Sequence, residues 1–180
     1  MQSTQQVQQV EIPVVEESAH PIDIDTTKRL QFLQSRWSVD EKINKVKHLL
    51  TIFELQKVVI TTDSAEKVRK LSRLVSEVAF RVVTLEGGKP RKITSSLKTF
   101  DEHTGPVLLI STTQLAVNHS VQADLCIIFD LPNDARHVHK LYEHNQKIVV
   151  FYDSISDKDK KQNLEKHFFR PSGLQALHFI

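Results

Sequence analysis

The sequence predicts an α/β fold in which a mostly parallel central sheet of five to seven strands is covered by helices on both faces. Three apolar runs lack polar alternation, at Val107–Ile110, Leu125–Phe129 and Ile148–Tyr152. Such runs are typical of strands that are buried on both faces of a parallel sheet. Segments of helical pattern follow the strands, and the pair recurs at intervals of about 25 residues, as in right-handed βαβ units.

The first 27 residues differ in composition from the rest of the chain. They are rich in Gln, then acidic, and are interrupted by Pro13 and Pro21. This composition predicts a flexible arm over residues 1–27 and a single domain over residues 28–180. Apolar residues alternate with others between Val10 and Ile24, so part of the arm could instead lie along the domain as an extended edge.

The domain is predicted to begin with a short strand or loop between Lys28 and Trp37. Ser38 and Glu41 then have the spacing of a capping box, which predicts the start of a helix. Its apolar face consists of Ile43, Val46, Leu49, Leu50 and Phe53. A strand at Lys57–Ile60 follows, and either Asp63 or Ser64 can cap the next helix, from Ala65 to about Val78.

The second half of the domain continues the same alternation. Pro90 suits the first position of a helix that runs to about Phe100. Either Asn133 or Asp134 can cap a helix through Tyr142, and Ser156 is predicted to cap a Lys-rich helix to about Phe169. The predicted strands are Arg81–Leu85, Val107–Ser111, Leu125–Phe129 and Ile148–Tyr152, with a short helical segment at Gln114–Val117 and a final strand or loose tail at Leu174–Ile180.

Composition limits the function classes. The formal net charge of the chain is +2. Residues 1–40 have a net charge of −3, so the remainder has a net charge of +5. This balance gives no global signature of a nucleic-acid binder, but the remainder is basic enough for phosphate contacts. The single cysteine, Cys126, lies in an apolar strand and is predicted to be a core thiol in a reducing compartment. No apolar run approaches the length of a membrane span, and the chain does not start with a basic and then apolar signal, so the cytoplasm or the nucleus is the expected location.

Several short motifs occur in the order of a known family. In chain order, these motifs are Lys42 with Leu49-Leu50, then Val58-Val59-Ile60-Thr61-Thr62, then Leu85-Glu86-Gly87, and finally Arg91, Phe100 and Gly105. With Ser111–Ser120 and His139–Gln146, this order resembles the second, C-terminal RecA-like domain of DEAD-box RNA helicases over about residues 42–153. The resemblance implies a RecA-like three-layer sandwich.

The two motifs that carry the family's chemistry are degenerate. In motif V, Thr112 matches the phosphate-contacting Thr, whereas Val117 occupies the position of an Arg. In motif VI, His139 and Lys140 are plausible counterparts, but Glu143 and Gln146 occupy the two arginine-finger positions. An arginine finger stabilises the charge that develops on the transferred phosphoryl group. The resemblance therefore implies a catalytically inactive domain without a cofactor.

Other chemistry is poorly supported. The sequence contains no G-x-x-x-x-G-K-S/T phosphate loop and no nucleophile elbow. His137, His139 and His144 form a H-x-H-x₄-H pattern, but residues two apart on a helix point in different directions. Since no Cys or carboxylate completes a zinc site, no metal is expected.

Two binding functions then remain as predictions. The resemblance implies contacts to an RNA backbone at Thr62, Gly88, Arg91 and Thr112, and the binding would be weak and independent of base sequence. Residues of these types also occur at strand ends simply as caps and turns.

The second prediction is a protein interface on the former motor face. Its candidate residues are Val117, Leu141, Tyr142 and His144, since apolar and aromatic residues suit an interface core. The alternative is that loops or the arm cover this face. The partner would be a second copy of the chain, most simply in a dimer, or another protein, with RNA as a further candidate.

The arrangement from Met1, with no first RecA-like domain ahead, resembles helicase-like Tudor proteins of the piRNA pathway. It implies self-association or scaffolding in a cytoplasmic RNA-silencing granule.

Overall fold

A computed structural model describes residues 28–34, 38–52 and 55–168. The predicted arm at 1–27 and the predicted segment at 174–180 lie outside the described residues, as do Trp37, Phe53 and Phe169. The strands are β1 (Leu30–Gln34), β2 (Lys57–Thr62), β3 (Arg81–Leu85), β4 (Val107–Thr112), β5 (Leu125–Ile128) and β6 (Lys147–Tyr152). The helices are α1 (Val39–Ile52), α2 (Ala65–Leu74), α3 (Pro90–Glu102), α4 (Thr113–Asn118), α5 (Ala135–His144) and α6 (Lys158–Phe168).

The six strands form one all-parallel sheet in the order β1-β6-β5-β2-β4-β3, which confirms the predicted α/β class. Buried residues of α1 and α2 pack on one face, where Val58 and Ile60 point, and helices α3 to α6 cover the other face, where Val59 points. The connections through α1 and α2 cross the first face in the direction of β3. The connections through α3, α4 and α5 return across the second face in the direction of β1. Both faces are therefore covered, as the unbroken apolar runs require.

Local hydrogen bonds set most helix starts as predicted. The Ser38 N–H donates to Glu41 Oε2 at 2.6 Å and the Glu41 N–H to Ser38 Oγ at 3.3 Å, which completes the capping box. Bonds from the backbone and the hydroxyl of Ser38 lower the pKa of Glu41. Ser64, not Asp63, caps α2 by accepting from the Lys67 N–H. Asp134 caps α5 by accepting from the Arg136 N–H at 2.9 Å.

The start of α6 corrects the prediction for Ser156. The turn before this helix is organised by two aspartates. Asp153 Oδ1 accepts from the N–H groups of Ile155 and Ser156 at 2.7 and 2.9 Å, and Asp157 Oδ2 accepts from the Asp153 N–H at 2.9 Å. The first helical bond runs from the Lys161 N–H to the Asp157 carbonyl. Ser156 is therefore a donor within the turn and does not cap the helix.

Cys126 lies in β5 with none of its surface exposed. Burial raises the pKa of its thiol well above the ordinary value, because a thiolate would lose its hydration. Cys126 is thus a neutral core residue, as predicted. Among the described residues, no helix has both the length and the apolar character needed to cross a bilayer.

Candidate nucleic-acid interface

The carboxyl ends of β2, β4 and β3 meet at one edge of the sheet, which we call the carboxyl edge. Thr62 lies opposite Thr112 in the strand register, and Leu85 lies opposite Ser111. The chain leaves β3 at Leu85 and enters α3 at Pro90 after Gly87 and Gly88. The parallel topology thus brings the predicted RNA-binding residues Thr62, Gly88, Arg91 and Thr112 to the same edge.

Thr62 does not fit its predicted role. It is 0% exposed, and its hydroxyl donates to Asp130 Oδ2 at 2.5 Å. Its side chain lies on the face of the sheet covered by α1 and α2, as does that of Ile60 two residues earlier. The hydroxyl is therefore not available to a phosphate at the surface, contrary to the prediction.

Thr112 is half-buried and serves as the cap of α4. Its hydroxyl accepts from the Leu115 N–H at 3.4 Å, and the neighbouring Thr113 hydroxyl donates to the Thr62 carbonyl at 3.3 Å. These bonds give Thr112 a structural role, and contact with phosphate stays a prediction for this residue.

Gly87 and Gly88 let the chain turn sharply between β3 and α3. Their φ angles are +101° and +107°, a backbone region that residues with a Cβ rarely adopt. No atom lies within 4 Å of the position that a Cβ on Gly88 would occupy. The backbone at Gly88 is therefore open to solvent at the point where α3 begins.

The first turn of α3 is basic and lacks a side-chain cap. Its N-cap residue, Lys89, makes no side-chain capping bond, and Pro90 is the first helical residue. Lys89, Arg91 and Lys92 are all exposed, and within the described part of the chain none of them takes part in an ion pair. Prediction from sequence had identified Arg91 alone, although the string GGKPRK contains all three cations.

The charges on α3 oppose the helix dipole. The positive end of the dipole lies at the N-terminus, where anions are stabilising, yet this first turn has three cations nearby and no acid, and the last turn has no base. Pro90 has no N–H, and the N–H groups of Lys92 and Ile93 donate to the Lys89 carbonyl. An anion bound at the first turn would therefore be attracted by the cationic side chains and by the Arg91 N–H. This arrangement suits a phosphate group.

The predicted protein face is largely buried. Val117 is 6% exposed and Leu141 is 1% exposed, and both belong to the core between the sheet and helices α3 to α6. The prediction that they form an exposed apolar patch is therefore wrong. On α5, Val138 and Leu141 point inward because they are three residues apart and share one helical face.

Tyr142 and His144 are half-buried. The Arg29 guanidinium lies 4.0 Å from the centre of the Tyr142 ring and donates to the backbone carbonyls of Tyr142 and Asn145. This Arg–Tyr pair joins the start of β1 to the end of α5. An arginine at these positions also satisfies carbonyl groups that lack partners within the helix.

The motif VI positions lie along α5 and just after it. His139 Nε2 is 3.2 Å from Glu143 Oε1, while Lys140 is exposed. The Gln146 side chain donates to Asp124 Oδ1 at 3.4 Å, and Asp124 lies directly before β5. The end of α5 is therefore at the opposite end of the sheet from α3's first turn.

The histidines do not converge with other metal-ligating groups. The His139 ring contacts the His167 ring, with centroids 5.4 Å apart. In residues 28–34, 38–52 and 55–168, no group of three His, Cys, Asp or Glu side chains could hold a metal ion.

An ionic network that sequence reasoning missed lies beside β2. Lys67 Nζ is 2.9 Å from Asp63 Oδ2 and 3.2 Å from Asp130 Oδ1, and Asp130 also accepts from Thr62. Burial alone would lower the pKa of Lys67, but the hydrogen bond that Lys67 donates to Asp63 and the charge of Asp130 outweigh it and raise this pKa. The i, i+4 spacing of Asp63 and Lys67 was a readable signal, whereas the contribution of Asp130 depends on tertiary structure.

Comparison with known proteins identifies the fold. No family model and no curated protein matches the chain. The C-terminal domain of the DEAD-box protein Dbp5 superimposes with a TM-score of 0.68 at 14% identity, over 78% of this chain and 85% of that one. E. coli SrmB, in a complex with RraA, gives 0.64 at 16% identity, over 79% and 86%. Domain 2 of Mss116p, bound to an RNA duplex, gives 0.61 at 12% identity, over 84% and 63%. The chain thus has the RecA-like fold of the C-terminal domains of DEAD-box helicases.

Proposed function

We propose that this chain is a non-catalytic helicase-C-like module that binds the RNA backbone at the first turn of α3. The observation that carries the proposal is the cluster of Lys89, Arg91 and Lys92 at an uncapped helix N-terminus, directly after Gly87 and Gly88. The RNA duplex bound by domain 2 of Mss116p, which shares the fold, gives further support.

The contacts offered by this site are to phosphate. A guanidinium and two ammonium groups, together with the Arg91 N–H, recognise phosphate oxygens but carry no information about base identity. Sequence-independent binding of this kind has a dissociation constant of roughly 10⁻⁴ to 10⁻⁶ M at physiological salt. We therefore expect similar affinities for single strands of different sequence.

Titration of the whole chain with single-stranded RNA at several salt concentrations tests this function. We expect the logarithm of the binding constant to fall linearly with the logarithm of salt concentration, because each contacted phosphate releases condensed counterions. Oligouridine and oligoadenosine should give the same slope. An absence of binding at low salt, or binding that salt leaves unchanged, would contradict the proposal.

We propose that the domain does not hydrolyse ATP. Glu143 and Gln146 replace the arginines that the family uses, and a carboxylate at Glu143 would repel the triphosphate. Phosphate release from ATP, measured with and without RNA, is expected to equal that of buffer alone. Release that saturates with ATP, and persists in a Glu143→Ala variant purified in the same way, would contradict this part of the proposal.

A second candidate function is association between copies of the chain through the pair formed by the exposed Arg29 and the half-buried Tyr142. Tyr and Arg are over-represented among residues that dominate binding energy in interfaces, and the stacking at 4.0 Å holds this pair in one arrangement. The face is smaller than predicted, because Val117 and Leu141 are buried.

A Tyr142→Asp substitution tests this association. We expect it to lower the mass measured by multi-angle light scattering across a concentration series, because a carboxylate replaces the aromatic surface. Tyr142→Phe keeps the ring and should leave the mass unchanged. If the wild-type chain is monomeric at every concentration, or if Tyr142→Asp retains the wild-type mass, the second candidate is wrong.

The cellular setting is also a proposal. The helicase-C-like domain resembles the amino-terminal helicase-C-like domain of Yb, a helicase-like Tudor protein of the piRNA pathway. On that basis we propose a cytoplasmic ribonucleoprotein granule of the RNA-silencing machinery, which fluorescence imaging of the tagged chain beside a granule marker would test.

A further inference from the structure

A cavity of about 310 Å³ lies on the opposite face of the sheet from α3, between the first turns of α1 and α2. Val39, Leu71 and Phe129 form its apolar part. β2 and β5 are neighbours in the sheet, and the connection after β2 runs toward β3 whereas the connection after β5 runs toward β1. The cavity lies at this point, and α/β sheets commonly bind ligands at such a position. Nothing in the proposed RNA contacts uses it.

Three lysines surround this cavity, and they differ in their partners. Lys67 is neutralised by Asp63 and Asp130. Lys42 donates to the Phe129 carbonyl at 3.4 Å, and Lys70 is exposed. Among the described residues, neither Lys42 nor Lys70 has a carboxylate within salt-bridge distance. Asp130 and the exposed Glu66 also line the cavity, but Lys67 pairs with Asp130, and the three lysines outnumber the two acids. An apolar floor with a net positive lining suits a peptide that is both apolar and acidic.

We propose that residues 10–17 of this chain, with the sequence VEIPVVEE, bind in the cavity. The segment carries three glutamates among four apolar residues, and no Lys or Arg occurs in residues 1–27. Its apolar side chains match Val39, Leu71 and Phe129, and its carboxylates match Lys42 and Lys70. Pro13 within the segment disfavours a regular helix, so an extended peptide is the expected bound form.

The connection is long enough for this contact. Ten residues, 18–27, separate the segment from Lys28, and they can span up to roughly 33 Å when extended. Lys28 lies just before β1, and only β6 separates β1 from β5 in the sheet. The distance from Lys28 to the carboxyl end of β5 is therefore roughly 20 Å, from the spacing between strands and the rise along them. A tether of this length gives a high effective concentration of the segment at the cavity.

Paramagnetic broadening in the full-length chain tests the proposal. A nitroxide on Ser18→Cys lies next to the segment, and Cys126 will not be labelled because it is fully buried. We expect broadening of the methyl signals of Val39 and Leu71 in a dilute sample. Lys70→Glu should abolish the broadening, and adding Glu16→Lys and Glu17→Lys to that variant should restore it.

Lys98→Glu, a matched charge reversal on α3, should leave the broadening unchanged. Broadening that is absent, or that persists in Lys70→Glu, overturns the proposal. A mixture of isotope-labelled chains without nitroxide and nitroxide-labelled chains without isotope tests for binding between copies. Broadening that appears only in this mixture and rises with concentration would show that the cavity binds the segment of a second copy, and it would also overturn the proposal. None of these outcomes depends on RNA binding.

Discussion

Val117→Asp is expected to abolish cooperative folding of the domain. Val117 lies in α4, is 6% exposed and packs in the core between the sheet and helices α3 to α6. Burial of an unpaired carboxylate costs several kcal/mol. That cost is comparable with the roughly 5–15 kcal/mol that stabilises a typical domain. Urea unfolding monitored by circular dichroism measures the effect.

Ile155→Asp is the matched control, because Ile155 is 68% exposed in the turn before α6. A carboxylate at an exposed position keeps its hydration, so the unfolding midpoint should stay close to that of the wild type. If Val117→Asp unfolds at the wild-type midpoint, Val117 does not belong to the core and the larger protein interface becomes tenable again.

Replacing Lys89, Arg91 and Lys92 together with Glu is expected to remove RNA binding without destabilising the domain. Three phosphate contacts on a single strand account for a slope of about 2 in the salt dependence, and charge reversal adds repulsion. Affinity should therefore fall by more than about tenfold at low salt. Stability should stay equal or rise, because glutamates complement the helix N-terminus. Filter binding and thermal unfolding measure the two effects.

Lys98→Glu separates a specific site from net charge. Lys98 is exposed and lies 3.8 Å from Glu102 near the end of α3. The substitution should leave RNA affinity nearly unchanged, because it lies more than one turn from the first turn of the helix. If single charge reversals at Lys98 and Arg91 weaken binding equally, the interaction depends on overall charge, and the proposed site is wrong.

Local signals predicted most of the fold. The apolar runs identified β4, β5 and β6, and the capping residues Ser38 and Asp134 were readable because their partners lie two or three residues away. Ser156 was misassigned because α6 begins at Lys158, so Asp157 directly precedes the helix. Ser156 lies one residue earlier, in the turn, where its N–H donates to Asp153 Oδ1.

The site was less predictable than the fold. Parallel pairing brings Thr62, Thr112 and Gly88 to one edge, which the order of the strands implies. The orientation of Thr62 could not be predicted, because a strand that is apolar on both sides has no alternation to reveal its faces. The same limit concealed the hydrogen bond between Thr62 and Asp130.

The most direct test of the central claim is an amide chemical-shift titration of the wild-type chain with a short single-stranded RNA. We expect the largest shifts at the amides from Gly87 to Ile93, which surround the first turn of α3, with small changes at the end of α5. Largest shifts between Tyr142 and Lys147, or no shifts at low salt, would contradict the assignment of this helix terminus as the phosphate site.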